Sequence, residues 1–172
     1  LDVGAFSPAP DHDDYFLIVS RLIPYKRIDL AVQACSQLGL PLRVIGDGRA
    51  RAALERLAGP SVRFLGRLPD AEVKEHLRRC RAFIFPGEED FGLAPLEAMA
   101  SGRPVVAYAA GGALETVVEG VTGVFFRQPT VESLASVLRT FDAEQFDPGE
   151  LRRHAESFDR SVFEQRLRAF VK

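Results

Sequence analysis

Short apolar runs alternate with stretches of helical spacing along most of the chain, and only a few residues join one to the next. Residues 15–20 form a continuous apolar run, the pattern of a strand covered on both faces. Residues 27–38 have helical periodicity and stop at Gly39. The same pairing recurs with strands expected at 42–45, 62–65, 82–85, 104–107 and 124–126. Helices are expected at 49–58, 70–80 (with Asp70 as its cap), 95–100 and 111–119, then at 131–141, 148–157 and 160–171. Alternation with short connections leaves little choice of architecture. It predicts an α/β fold with a Rossmann-like, doubly wound parallel sheet and a C-terminal helical extension from about residue 148. Residues 1–14, rich in Pro, Asp and Ala, read as a linker, and residues 15–172 as the domain.

Composition narrows the class. A chain of 172 residues fits one domain, and with 47% hydrophobic and 27% charged residues it can build a real core. A formal net charge of −2 provides no basic field for nucleic acid. No apolar stretch reaches the ~18 residues of a membrane span, and no secretory leader is recognised. Cys35 and Cys80 lie far apart in apolar helical patterns, which predicts buried reduced thiols and fits a cytoplasmic protein. His12, His76 and His154 are scattered and expected at the surface, and no spacing suggests a metal site.

In open α/β sheets ligands bind beyond the carboxyl ends of the strands, so the informative residues follow each strand. Arg21 and Lys26 follow the first; a guanidinium and an ammonium near a helix start can clamp a diphosphate, although solvated loop charge is an equally simple reading. Gly46 and Gly48 follow the second, where they permit either close approach to a ligand or a tight turn capped by Asp47. The loop 64–68 follows the third. The fourth strand leads into a longer block, residues 85–104, with Glu88, Glu89 and Asp90 together and Gly92 at the passage into a helix. The amides of residues 91–94 there could point at an anion, and Pro95 suits a first turn that needs no donor. Glu97 would sit in that first turn, where the helix dipole alone could account for it. A further glycine-rich turn, residues 110–112, precedes Glu115.

These motifs, in this order, resemble the retaining GT-B glycosyltransferases of group 1, also called family 4. The resemblance runs from Tyr15 to Lys172 and rests on E-x7-E, met by Glu89 and Glu97 inside EDFGLAPLEAMASGRPVVA. It implies that this chain is the donor-binding half of a hexosyltransferase, mannosyltransferase-like, acting in polysaccharide biosynthesis. It implies Arg21 and Lys26 on the diphosphate, with Glu89 on the donor sugar, as the catalytic set. The amides of Phe91, Gly92 and Leu93 would assist, Glu97 would hold the ribose, Leu68 would meet the base through its backbone, and Gly46 and Gly48 would line the approach. Asp90 stands where the family usually has a small, polar or aromatic residue, and its role stays open. The implied donor is GDP-mannose or a UDP-sugar, with no tightly bound cofactor and no requirement for a divalent metal. The implied partner is an N-terminal domain that holds the acceptor, and the C-terminal helix at 160–171 either crosses onto that domain or packs on this one. Arg78, Arg79 and Arg81 could meet an anionic membrane face or be a solvated helix face. Two other readings stand beside the transferase: half of a sugar-nucleotide epimerase, and a non-catalytic nucleotide-sugar-binding module.

Overall fold

The apolar runs pair into one sheet of six parallel strands, in the order β3-β2-β1-β4-β5-β6. The computed structural model describes residues 1–171; Lys172, the last residue of the expected domain, lies outside them. The strands are β1 (Phe16–Val19), β2 (Leu42–Ile45), β3 (Val62–Gly66), β4 (Ala82–Phe85), β5 (Val105–Tyr108) and β6 (Gly123–Phe126). Helices connect them: α1 (Ile28–Leu38), α2 (Arg51–Leu57), α3 (Asp70–Arg79), α4 (Leu93–Ala100) and the one-turn α5 (Ala113–Thr116). After β6 come α6 (Val131–Arg139), α7 (Pro148–Glu156) and α8 (Arg160–Phe170). This is the expected doubly wound architecture, and the strands fall within two residues of the expected spans. The central strands β1 and β4 are buried on both faces, with Phe16, Leu17, Ile18, Phe83 and Ile84 essentially inaccessible. That is why they read as continuous apolar runs and not as alternating ones. β1 pairs with β2 on one side and β4 on the other, so the winding reverses between β1 and β4. The crevice of such a fold opens at that reversal.

Four local expectations change. The helix expected at 95–100 starts two residues earlier, at Leu93, so Pro95 is its third residue. Pro69 occupies the cap position before α3, and Asp70 is the first helical residue, with no side-chain cap. The helix expected over 111–119 shortens to α5 because Val117 is extended (φ −98°, ψ 130°). The Val118 amide then donates to the buried Thr122 hydroxyl at 2.8 Å, turning the chain into β6. The histidines are half-buried and engaged: His154 Nε2 lies 2.7 Å from the Thr116 carbonyl, and His76 packs edge-on against Tyr15.

Residues 1–14 lie along the domain. Val3 and Ala9 are buried there, and the buried Arg103 donates to the carbonyls of Ala9, Asp11 and Arg78. Arg79 pairs with Asp11 and Asp13 at 2.8 Å each. Arg81 donates to the Phe141 carbonyl at 2.9 Å. Two of the three arginines considered for a membrane surface are therefore committed within the molecule. Among the described residues no helix is long and apolar enough to cross a membrane. Both cysteines are free and buried, and burial pushes each thiol up to about 12.

Candidate functional site

The residues after β1 and β4 meet at the reversal point. Beyond β1 the chain makes a 3-10 turn, Pro24–Lys26, that brings Lys26 back over the strand ends. Beyond β4, Pro86 and Gly87 carry the chain beneath it. A side chain at Gly87 would press on the Lys26 backbone, so the two loops can only touch this closely with glycine there. Lys26 Nζ donates to Glu89 Oε1, and both side chains are largely shielded from water. The same ammonium lies 5.2 Å from the centre of the Tyr25 ring.

The acidic loop is held from a third strand. The Gly112 amide donates to the Glu89 carbonyl at 2.6 Å. A Cβ on Gly111 or Gly112 would collide with the carbonyl of Glu89 or Asp90. The glycine-rich turn after β5 thus serves as a backbone clamp on residues 89–91. Its sequence signal is the Gly pair itself, which marks close approach without naming the segment that approaches.

A cleft of about 280 Å³ lies between these loops and the start of α4. Arg21, Lys26, Glu89, Phe91, Gly92 and Leu93 all line it. No side chain caps α4, and Gly92 at its cap position is extended (φ −104°, ψ 122°). Helix amides in a first turn have no intrahelical acceptor, so those of Leu93 and Ala94 remain available, while Pro95 falls where no donor is required. Arg21 is exposed at the rim, without a side-chain partner among the described residues. One cleft therefore combines two cations, one carboxylate and a bare helix start. That arrangement can hold a polyanion and, beside it, a group rich in hydroxyls.

Five of the sequence-selected residues lie off this cleft. Gly46 (φ 127°) and Gly48 pack against the backbone of Ser20 and Leu22, where any Cβ would collide with a carbonyl. Their evident task is to let the β1 and β2 loops cross, and Asp47 accepts from the Gly48 amide at 2.8 Å. Glu97 falls in the second turn of α4, so the helix-dipole explanation, which needs the first turn, does not apply to it. It is half-buried, and burial, reinforced by the charge of Asp70, raises its carboxyl above the ordinary value. Leu68, half-buried just before Pro69 and Asp70, lies on that same side of the molecule. Asp90 faces a neighbouring chamber along with Glu88. Among the described residues no group of three or more His, Cys, Asp and Glu side chains is placed to hold a metal ion.

With the geometry in place, three comparisons bear on it. Residues 5–159 match the family model described as glycosyl transferases group 1. A GDP-mannose-dependent monoacylated alpha-(1-6)-phosphatidylinositol monomannoside mannosyltransferase of Corynebacterium glutamicum is 34% identical over 80% of this chain and 44% of its own length. The Anabaena protein HepE, solved with UDP and glucose, superposes with a TM-score of 0.82 at 22% identity, covering 99% of this chain and 55% of that one. A solved C-terminal domain of a group 1 glycosyl transferase from Francisella tularensis covers 90% of this chain and 94% of its own, with a TM-score of 0.72 at 21% identity. The chain thus spans less than half of the curated relative, and nearly the full length of an isolated C-terminal domain.

Proposed function

The chain belongs to the group 1 glycosyl transferases, and from that membership we propose that it is the nucleotide-sugar-binding half of a two-domain, retaining hexosyltransferase. The observation that carries this reading is the convergence of Arg21, Lys26, Glu89 and the uncapped start of α4 on one cleft at the sheet's reversal point. Arg21, Lys26 and the amides of Phe91, Gly92 and Leu93 hold the diphosphate. Breaking the anomeric C–O bond leaves negative charge on the β-phosphate, and these groups stabilise it where it develops. Glu89 is no hydrolase nucleophile in this scheme. In the structure it pairs with Lys26. When phosphate takes over Lys26, the carboxylate becomes free to accept from sugar hydroxyls.

Glu97 and the Leu68 backbone serve the ribose and the base, with Gly46 and Gly48 shaping the approach. The donor is GDP-mannose or a UDP-sugar: the Corynebacterium relative is GDP-mannose-dependent, and HepE was solved with UDP. The acceptor is held by an N-terminal domain, and the charge stabilisation assigned here comes from side chains and amides, with no resident metal.

Calorimetric titration with GDP, UDP and their hexose conjugates tests the reading. Arg21→Ala or Lys26→Ala should weaken binding by about 1.5–3 kcal/mol each, the worth of a charge-assisted hydrogen bond. Glu89→Gln should bind bare diphosphate at least as tightly, because it no longer competes for Lys26, yet lose the preference for the sugar conjugate. Unchanged affinity in both cation variants would remove the clamp.

A further inference from the structure

The turn that carries Lys26 is held by a residue outside the Arg21–Lys26 cleft. Arg27 closes the 3-10 turn Pro24–Lys26 and opens α1 in a single step. Its amide donates to the Pro24 carbonyl at 3.1 Å, and its own carbonyl accepts from the Leu30 amide at 3.2 Å. It makes that join in the left-handed conformation, φ 52° and ψ 36°, and among the described residues it is the one non-glycine residue with positive φ. Glycine adopts this conformation freely, whereas a side chain crowds the backbone there. Such a position persists only where its surroundings fix it, and such positions gather at ligand clamps.

What fixes this one is an ion pair. Arg27 Nε and Nη2 donate to the two carboxylate oxygens of Asp29, at 3.1 and 3.2 Å, so a forked pair spans the join. Asp29 stands in the first turn of α1, where the helix dipole favours a carboxylate. α1 is in turn packed into the core through Ile28, Leu30, Ala31 and Val32, all buried. On its other side the Lys26 backbone rests against Gly87. Lys26 is therefore seated between the β4 loop and an ion pair anchored in a packed helix. Both partners of that pair are partly exposed, and exposed pairs add little to global stability. Glycine would suit the backbone better, so stability does not explain the arginine. What the arginine adds is a lock on the turn.

We infer that the Arg27–Asp29 pair is a positioning device for Lys26. It fixes the left-handed join, and the join delivers the ammonium over the cleft in one place, so that the cation need not be ordered when an anion arrives. Neither Arg27 nor Asp29 touches the diphosphate in this scheme. The inference rests on the clamp reading only for what Lys26 holds.

The test compares Arg27→Gly with Asp29→Ala in the 172-residue chain, by titration with UDP, GDP and inorganic pyrophosphate and by backbone 15N relaxation. The two substitutions remove opposite charges. If either residue acted on the diphosphate through its charge, one variant would bind more tightly and the other more weakly. Positioning predicts that both bind more weakly, by roughly threefold to tenfold, the scale of freeing one residue's backbone. Neither should weaken binding further in a chain that already carries Lys26→Ala, because each acts through Lys26. The amides of Tyr25 and Lys26 should become more mobile on the ps–ns scale in both variants without ligand. The thermal midpoint of Arg27→Gly should hold within a few degrees, since relief of the backbone offsets the lost pair. Affinity changes of opposite sign, an equal loss in the Lys26→Ala chain, or unchanged mobility at Tyr25 and Lys26 would each overturn the inference. Failure of the clamp reading looks different: Lys26→Ala alone would leave all three affinities unchanged, while the mobility of the turn would still rise in Arg27→Gly and Asp29→Ala.

Discussion

Glu97 shows how one half-buried group ties binding to pH. Burial and the neighbouring Asp70 disfavour its charged form, so its folded-state carboxyl titrates above the ordinary value of 4.5. A carboxyl raised in this way favours the folded state below its unfolded pKa. That contribution is lost as pH rises through the folded value, where the buried group must ionise. Ribose hydroxyls donating to the carboxylate would offset the cost, so nucleoside binding should favour ionised Glu97 and release its proton. The expected result is an affinity for GDP or UDP that rises with pH more steeply in the parent than in Glu97→Gln, since ionisation of the terminal phosphate adds the same rise to both. Inorganic pyrophosphate, which lacks ribose, should show no difference between the two proteins. In thermal melts Glu97→Gln should gain on the parent as pH rises, since amide replaces a carboxylate short of hydration. Parallel affinity profiles for the two proteins would remove Glu97 from the ribose.

At the scale of elements, the geometry of the candidate site depends on a turn that does not line the cleft. The Gly111–Gly112 turn after β5 holds residues 89–91 by backbone contact. Gly112 has an ordinary helical φ of −64°, so alanine is not strained there by its backbone; its Cβ would collide with the Asp90 carbonyl and press on the Phe91 Cα. Gly112→Ala should therefore displace the acidic loop, destabilise the fold by about 1–3 kcal/mol as overpacking does, and weaken nucleotide-sugar binding beyond that of bare diphosphate. Equal losses for both ligands, or none, would mean that the loop is held by something other than this turn. The example also shows what the sequence makes legible. Strands β1, β4 and β5 are readable because burial on both faces leaves unbroken apolar runs. The loops that carry Arg21, Lys26 and Glu89 are readable because each follows such a run. The contact between loops is not, since periodicity says nothing about which loop a glycine lets approach. The length of α5 was also hidden, because the Val118–Thr122 contact that ends it lies outside helical spacing. The same holds for the positive φ of Arg27 and for the two-residue-earlier start of α4, which moves Glu97 out of its first turn.

At the scale of the whole molecule, the C-terminal helix is the part this domain explains least. α8 has no buried residue, and Phe163, Leu167 and Phe170 are 65%, 52% and 89% exposed. Its first turn is anchored, with Asp159 capping Ser161 and accepting from the Val3 amide at 2.9 Å. Beyond that turn the apolar side chains find no cover. Exposed apolar residues at helical spacing, in a chain that spans under half of its curated relative, suit a helix that packs on a domain outside these 172 residues. The alternative, packing on this domain, makes a different thermodynamic prediction. Surface residues contribute within about 0.5 kcal/mol, whereas a buried Leu or Phe contributes several. Leu167→Ser and Phe170→Ser should therefore leave the thermal midpoint and nucleotide affinity of this chain unchanged. In a protein that carries both domains, the same substitutions should lower transfer to the acceptor while donor binding persists. A drop in the midpoint of the 172-residue chain would place α8 on this domain instead.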